Sequence, residues 1–185
     1  MSPTALLGLM AFVMFGSVVP VVPTGAAVSA GVVVVSADHP WEIVLVIGIG
    51  ALGAYLGDIA TYGALRRWGE PLAQRVGWLQ RDNPQAALTR LREGIERNEL
   101  RTLLVSRLVP GGRIPVLVAA ALGGYPWQRY AVADVGAALL WATTYAVIGL
   151  VGDTFIPNQD VAVVVVVAAA LALTGIAQLV QSRRR

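Results

Sequence analysis

Two arginines set in apolar sequence are the residues best placed to do chemistry. Arg107 and Arg113 lie in the stretch Leu104 to Gly124, LVSRLVPGGRIPVLVAAALGG, together with Pro110, Gly111, Gly112 and Pro115. Proline removes a backbone donor and clashes with the preceding turn, and glycine weakens a helix further. The stretch is apolar enough to enter a bilayer, yet a continuous helix through residues 110–115 is disfavoured. Interrupted backbone at membrane depth survives only where protein buries it or it lines a wet cavity. An arginine there costs at least about 2.5 kcal/mol at a helix centre. The expectation is a re-entrant hairpin over residues 104–125, its tip holding both guanidinium groups near a polar cavity. A guanidinium stays charged when buried and can grip phosphate oxygens bidentately. Half-helix N-termini would add free N–H groups and positive dipole ends. The competing reading is that both side chains snorkel to the cytoplasmic interface.

Two acids belong to the same problem. Asp58 lies inside the apolar segment 43–66, one residue after Gly57. An acid this far in is a functional candidate; equally, it can sit close to the headgroups and pair with Arg66 or another nearby arginine. Asp134 stands near the start of a second apolar segment, 128–152. The two carboxylates can balance the arginines when no anion is bound, or a desolvated one can carry a proton.

The elements that must hold these residues follow from composition. Of 185 residues, 56% are hydrophobic and 14% charged, against about 25% charged in soluble domains. Mean hydropathy is +0.67. An all-α integral membrane protein forming one domain is expected. Cysteine is absent and His39 is the sole histidine, so a disulfide framework, a thiol nucleophile and a multi-histidine metal centre are excluded. With no G-x-x-x-x-G-K loop either, neither an enzyme nor a cofactor is expected. Eight arginines lie between Arg66 and Arg101, and Arg183, Arg184 and Arg185 end the sequence. Such clusters mark the cytoplasmic side and contact with anionic headgroups. Nucleic-acid binding is not expected, because aromatic residues do not interleave with the charges.

Residues 5–37 carry no charge, too many for one straight span of about 20 residues. Their middle holds Pro20, Pro23, Thr24 and Gly25, a strong helix breaker. A first re-entrant hairpin fits; the alternative is one kinked helix followed by a surface segment. The run is far longer than a signal-peptide core and is treated as mature structure. Asp38-His39-Pro40-Trp41-Glu42 has the character of a membrane interface, and a spanning helix follows over 43–66. Residues 68–103 read as a cytoplasmic amphipathic region, with Asn83-Pro84 as a helix start and Leu88, Leu91 and Ile95 at helical spacing. That helix is expected to lie on the bilayer surface. After the second hairpin come a helix over 128–152 and a last span over 161–181. With both arginine clusters in the cytoplasm, hairpin plus spanning helix occurs twice in opposite orientation. Such inverted repeats of broken helices are the architecture of secondary transporters.

Arg107-Leu-Val-Pro110-Gly-Gly-Arg113, Ala120-Ala-Leu-Gly-Gly124 and Gly136-Ala-Ala-Leu-Leu-Trp141 resemble the motifs of the DedA membrane proteins, the SNARE-associated or VTT-domain group. Leu56-Gly57-Asp58 to Tyr62, with Arg66 and Gly69 following, is similar to the family's G-D-x-x-x-Y segment. Pro20 to Thr24 is similar to its first re-entrant turn. The resemblance spans 17–152. It implies a multi-pass protein of the bacterial inner membrane, C-terminus in the cytoplasm, with two opposed re-entrant hairpins. It further implies movement of undecaprenyl phosphate or phospholipids between leaflets, linked to the proton gradient. By position, Arg107, Arg113 and Asp58 correspond to the family's essential residues. Two positions depart from the pattern. Gly25 stands where the family has an acidic residue, and Asp134 where it commonly has asparagine, which would supply a titratable group from the other repeat. The resemblance implies a flippase or scramblase; the rival is a non-transporting membrane scaffold or envelope-homeostasis protein.

Overall fold

The computed structural model describes residues 1–19, 22–36, 41–75, 89, 93–108, 112–155, 161, 164, 165 and 168. Among the described residues the chain is helical, with no strand. The expectations for Pro20, Pro110, Gly111, Asp38 to Pro40, most of the region 76–92 and nearly all of the span 161–181 lie outside the described residues.

Helix α1 covers Pro3–Val18 and is capped by Ser2, whose Oγ accepts the Ala5 amide at 3.2 Å. Pro3 fills the first turn, where its missing N–H costs nothing. The helix stops at Val18, and α2 runs over Thr24–Ser36. The two helices pack on each other. Their 16 and 13 residues reach about 24 and 20 Å at 1.5 Å per residue, short of the about 30 Å hydrocarbon core. Residues 5–37 therefore hold two short helices and a break, not one kinked helix.

Helix α3 covers Glu42–Arg75, with Gly69 at φ 65° and ψ −150° inside it. That left-handed conformation is open to glycine at little cost, so the regular helix ends here and Pro71 lies in the continuation. The apolar part, Glu42–Gly69, has 28 residues, overrunning the expected end at residue 66. Trp41 and Trp68 flank it, each 63% exposed, as aromatic residues do at the two edges of a bilayer.

Helix α4, Glu99–Leu108, starts before the expected hairpin because Asn98 caps it. The Asn98 side chain accepts the Arg101 amide at 3.0 Å, satisfying one orphan donor of the first turn. Helix α5 covers Arg113–Leu122 and packs on α4. With 10 residues each, both are about 15 Å long. Helix α6, Trp127–Phe155, has 29 residues. It and α3 are long and apolar enough to cross a membrane, and only 33% and 39% of their span windows are buried. A core helix of a soluble protein would be mostly buried; here Val44, Val132 and Val151 stand exposed.

The chain divides into two compact units, Met1–Gly57 with Ala138–Arg185, and Asp58–Ala137. In the first, α3 touches the backbone of α1 through Gly53 and Gly57. A Cβ on either would come within 2.6 Å of a carbonyl oxygen, that of Met10 or Met14 respectively. This small-x-x-x-small spacing lets helices approach closely where lipid offers no hydrophobic drive. Val13, Val28, Val32, Val46, Trp141 and Ala142 fill the core around it. In the second unit Leu65, Leu103, Leu117, Val118 and Tyr130 form the core together with Ile95. Ile95 was expected on the lipid-facing side of a surface helix; it is fully buried in protein instead.

Candidate functional site

The second unit gathers four charged side chains from four helices. Arg107 lies in the last turn of α4, where the carbonyl end of the helix favours a cation. Its Nη2 donates to Asp58 Oδ2 of α3 at 2.6 Å and to Asp134 Oδ1 of α6 at 2.8 Å. These side chains are 3%, 1% and 1% exposed. Arg113 opens α5, the end at which the dipole disfavours a cation. Its Nη1 stands 3.5 Å from Asp58 Oδ1, and its side chain is 19% exposed. Two guanidinium groups and two carboxylates thus leave no net formal charge.

A single nitrogen bridging two acids makes Arg107 the keystone of the cluster. Charges this deep survive only when paired, since burial alone would cost several kcal/mol per ion. The hydrogen bonding is incomplete at two atoms: Asp134 Oδ2 and Asp58 Oδ1 are buried with no hydrogen-bond partner among the described residues, although Asp58 Oδ1 has the Arg113 ion pair. Arg113 is the more accessible of the two cations, its side chain 19% exposed against 3% for Arg107. At the N-terminus of α5 Gly112 makes no side-chain cap, and Pro115 contributes no amide donor to the first turn.

Of the residues singled out in the sequence, Arg107, Arg113, Asp58 and Asp134 are brought together. Asp58 does not pair with Arg66. Arg66 instead donates from Nη1 to the Tyr62 hydroxyl and to the Tyr125 carbonyl, both at 3.0 Å. Tyr62 also donates its hydroxyl to that carbonyl. The carbonyl is presented by the end of α5, where Gly124 takes φ 71°. The Tyr125 amide returns to Ala120 O at 3.0 Å and the Gly124 amide to Ala121 O at 3.4 Å, a Schellman ending that needs glycine after the cap. Gly123-Gly124 before Tyr125-Pro126 carries that signal in the sequence. Tyr62 also stacks on Tyr130, ring centroids 4.6 Å apart and planes 18° from parallel. Neither tyrosine was singled out as a site residue.

Pro23, Thr24 and Gly25 belong to the first unit. There the Tyr145 ring of α6 covers Gly25 so closely that a Cβ on residue 25 would overlap it. Ser29 fixes α6 at the same place, its Oγ donating to the Tyr145 carbonyl at 2.6 Å. The position that carries an acid in the family pattern is filled here by a phenol ring.

No curated protein and no solved structure matches the chain. A family model, described as the VTT domain, matches residues 5–151. Most of the sequence, including every charged residue of the buried cluster, falls inside that match. The chain belongs to the VTT-domain family, the membrane-protein family that includes the DedA and SNARE-associated proteins.

Proposed function

We propose that the protein moves a phosphate-bearing lipid, such as undecaprenyl phosphate or a phospholipid, between the leaflets of the bacterial inner membrane. It acts as a transporter of the flippase or scramblase kind and not as an enzyme. In this reading the pairs α1–α2 and α4–α5 are re-entrant hairpins of an inverted repeat in one membrane domain. Support comes from their lengths, none of which spans a hydrocarbon core, and from the breaks that separate them. The C-terminal arginines then lie in the cytoplasm.

The observation that carries the proposal is the buried, charge-balanced cluster at the α4–α5 break, with Arg113 as its accessible cation. In the resting state Asp58 and Asp134 serve as counterions. A headgroup phosphate would exchange with Asp58 for Arg113, gaining the α5 amides as donors. The carboxylate so released is the group that would take up a proton, coupling transport to the proton gradient. One observation favours the rival, a non-transporting scaffold: Tyr145 occupies the place of the acid at residue 25. Uncoupled scrambling is the intermediate outcome.

The test is leaflet exchange of a fluorescent phosphate-bearing lipid in vesicles reconstituted with the full chain or with Arg113→Ala. Transport requires faster exchange with the parent chain than in empty vesicles, and loss of that excess in the variant. Equal exchange in parent and empty vesicles establishes the scaffold. A pH gradient that leaves the rate unchanged removes the proton from the scheme.

A further inference from the structure

Away from the buried cluster, the outer face of α3 and the start of α6 enclose a cleft of about 380 Å³. Ile59, Tyr62, Gly63, Arg66, Arg67 and Trp127 line it. Its volume lies within the about 300–1,000 Å³ of sites that take organic ligands. The floor is apolar, and Gly63 leaves it open: a Cβ there would meet nothing within 4 Å. The rim is cationic.

The state of that rim is informative. Arg66 is anchored by two neutral acceptors, the Tyr62 hydroxyl and the Tyr125 carbonyl. A guanidinium has five N–H donors, and both of these bonds leave from Nη1, so Nη2 and Nε make no hydrogen bond among the described residues. Neutral acceptors orient the group without cancelling its charge. Arg67 beside it is exposed, and neither arginine forms an ion pair among the described residues. Trp68 and Trp127, 63% and 54% exposed, mark this level as the edge of the bilayer. An apolar slot below the headgroup layer, ending at that layer in two cations without an ion pair among the described residues, matches one end of a membrane lipid.

We infer that this cleft is a discrete binding site for an anionic glycerophospholipid of the bilayer, one acyl chain lying against Ile59, Tyr62 and Gly63 and the phosphate resting on Arg66 and Arg67. The site is separate from the buried cluster and does not depend on whether that cluster moves lipid. It converts a general attraction of arginines for the membrane surface into a stoichiometric contact, held in register by the Tyr62–Tyr125–Arg66 hydrogen bonds.

Trp127 makes the occupant measurable. Full-length chain in phosphatidylcholine nanodiscs is titrated with phosphatidylglycerol carrying brominated acyl chains, which quench tryptophan on contact. A Trp127→Phe variant gives the background of the other tryptophans. The Trp127 component should be half-quenched at about a thirtyfold lower mole fraction of brominated phosphatidylglycerol than of brominated phosphatidylcholine, the order expected for two interfacial arginines. Arg67→Gln, which removes no hydrogen bond or ion pair among the described residues, should cut the preference to about fivefold. Gly63→Leu, whose Cβ would meet nothing within 4 Å, should fill the floor and protect Trp127 from both lipids. The inference is overturned by equal quenching from the two lipids, or by a preference that survives both substitutions. Displacement by millimolar inorganic phosphate would overturn it as well, because the rim would then hold an anion with no need of its acyl chain.

Discussion

Replacing Arg107 strands two buried carboxylates, and the geometry says how unequally. Asp58 keeps Arg113 at 3.5 Å from Oδ1, whereas Asp134 loses its one hydrogen-bonded partner among the described residues. Removing one member of a buried ion pair costs about 3–5 kcal/mol, so Arg107→Met should destabilise the chain by about that amount, most of it felt at Asp134. For a chain of this size each kcal/mol moves the melting temperature by about 2–4 °C, giving a fall of about 6–20 °C. Thermal unfolding of the detergent-purified chain, followed by the emission of its five tryptophans, reads the shift. The decisive arm is Arg107→Met combined with Asp134→Leu. An apolar replacement of both partners removes the stranded charge and should restore at least half of the loss, a coupling of about 2 kcal/mol. A melting temperature within 2 °C of the parent for Arg107→Met, or a double variant no more stable than that single one, would refute the keystone role.

Two further outcomes test the packing of the first unit. Gly25→Glu should destabilise by about 1–3 kcal/mol, the usual cost of overpacking, because its Cβ enters the Tyr145 ring; adding Tyr145→Ala should recover most of that loss in the same melting assay. Gly53→Ala should cost a similar amount, since the Met10 carbonyl stands 2.6 Å from the new Cβ. Gly48→Ala on the same helix meets nothing within 4 Å and should gain up to about 1 kcal/mol. If the two alanines behave alike, the close approach of α3 to α1 is wrong.

The readable part of this structure was where a residue type conflicts with its surroundings. Prolines and glycines in apolar sequence announce the breaks after Val18 and Leu108, and charges in the same setting announce Arg107, Arg113 and Asp58. What could not be read is who meets whom. Arg107 finds its acids 49 and 27 positions away, on two other helices, whereas Arg66 is nearer to Asp58 in sequence and faces elsewhere. Nothing local distinguishes these choices, because pairing is decided by how four helices pack. The same limit hides the Tyr145 ring over Gly25. Other misses were local and legible in principle. Asn98 is a good capping residue, Gly69 a helix stop, and Gly53-x-x-x-Gly57 a helix-contact pattern; each was outweighed by the stronger apolar periodicity around it. Ile95 shows the remaining ambiguity: an apolar stripe on a helix has the same spacing whether protein or lipid covers it.

The order of the cluster along the chain bears on how the protein is made. Translation delivers Asp58 first, then Arg107, and Asp134 last, so the guanidinium emerges from the ribosome with one of its two carboxylates still unsynthesised. Until α6 follows, the α4–α5 segment carries an unbalanced cation that resists leaving water. Its final seating must therefore wait for the second acid.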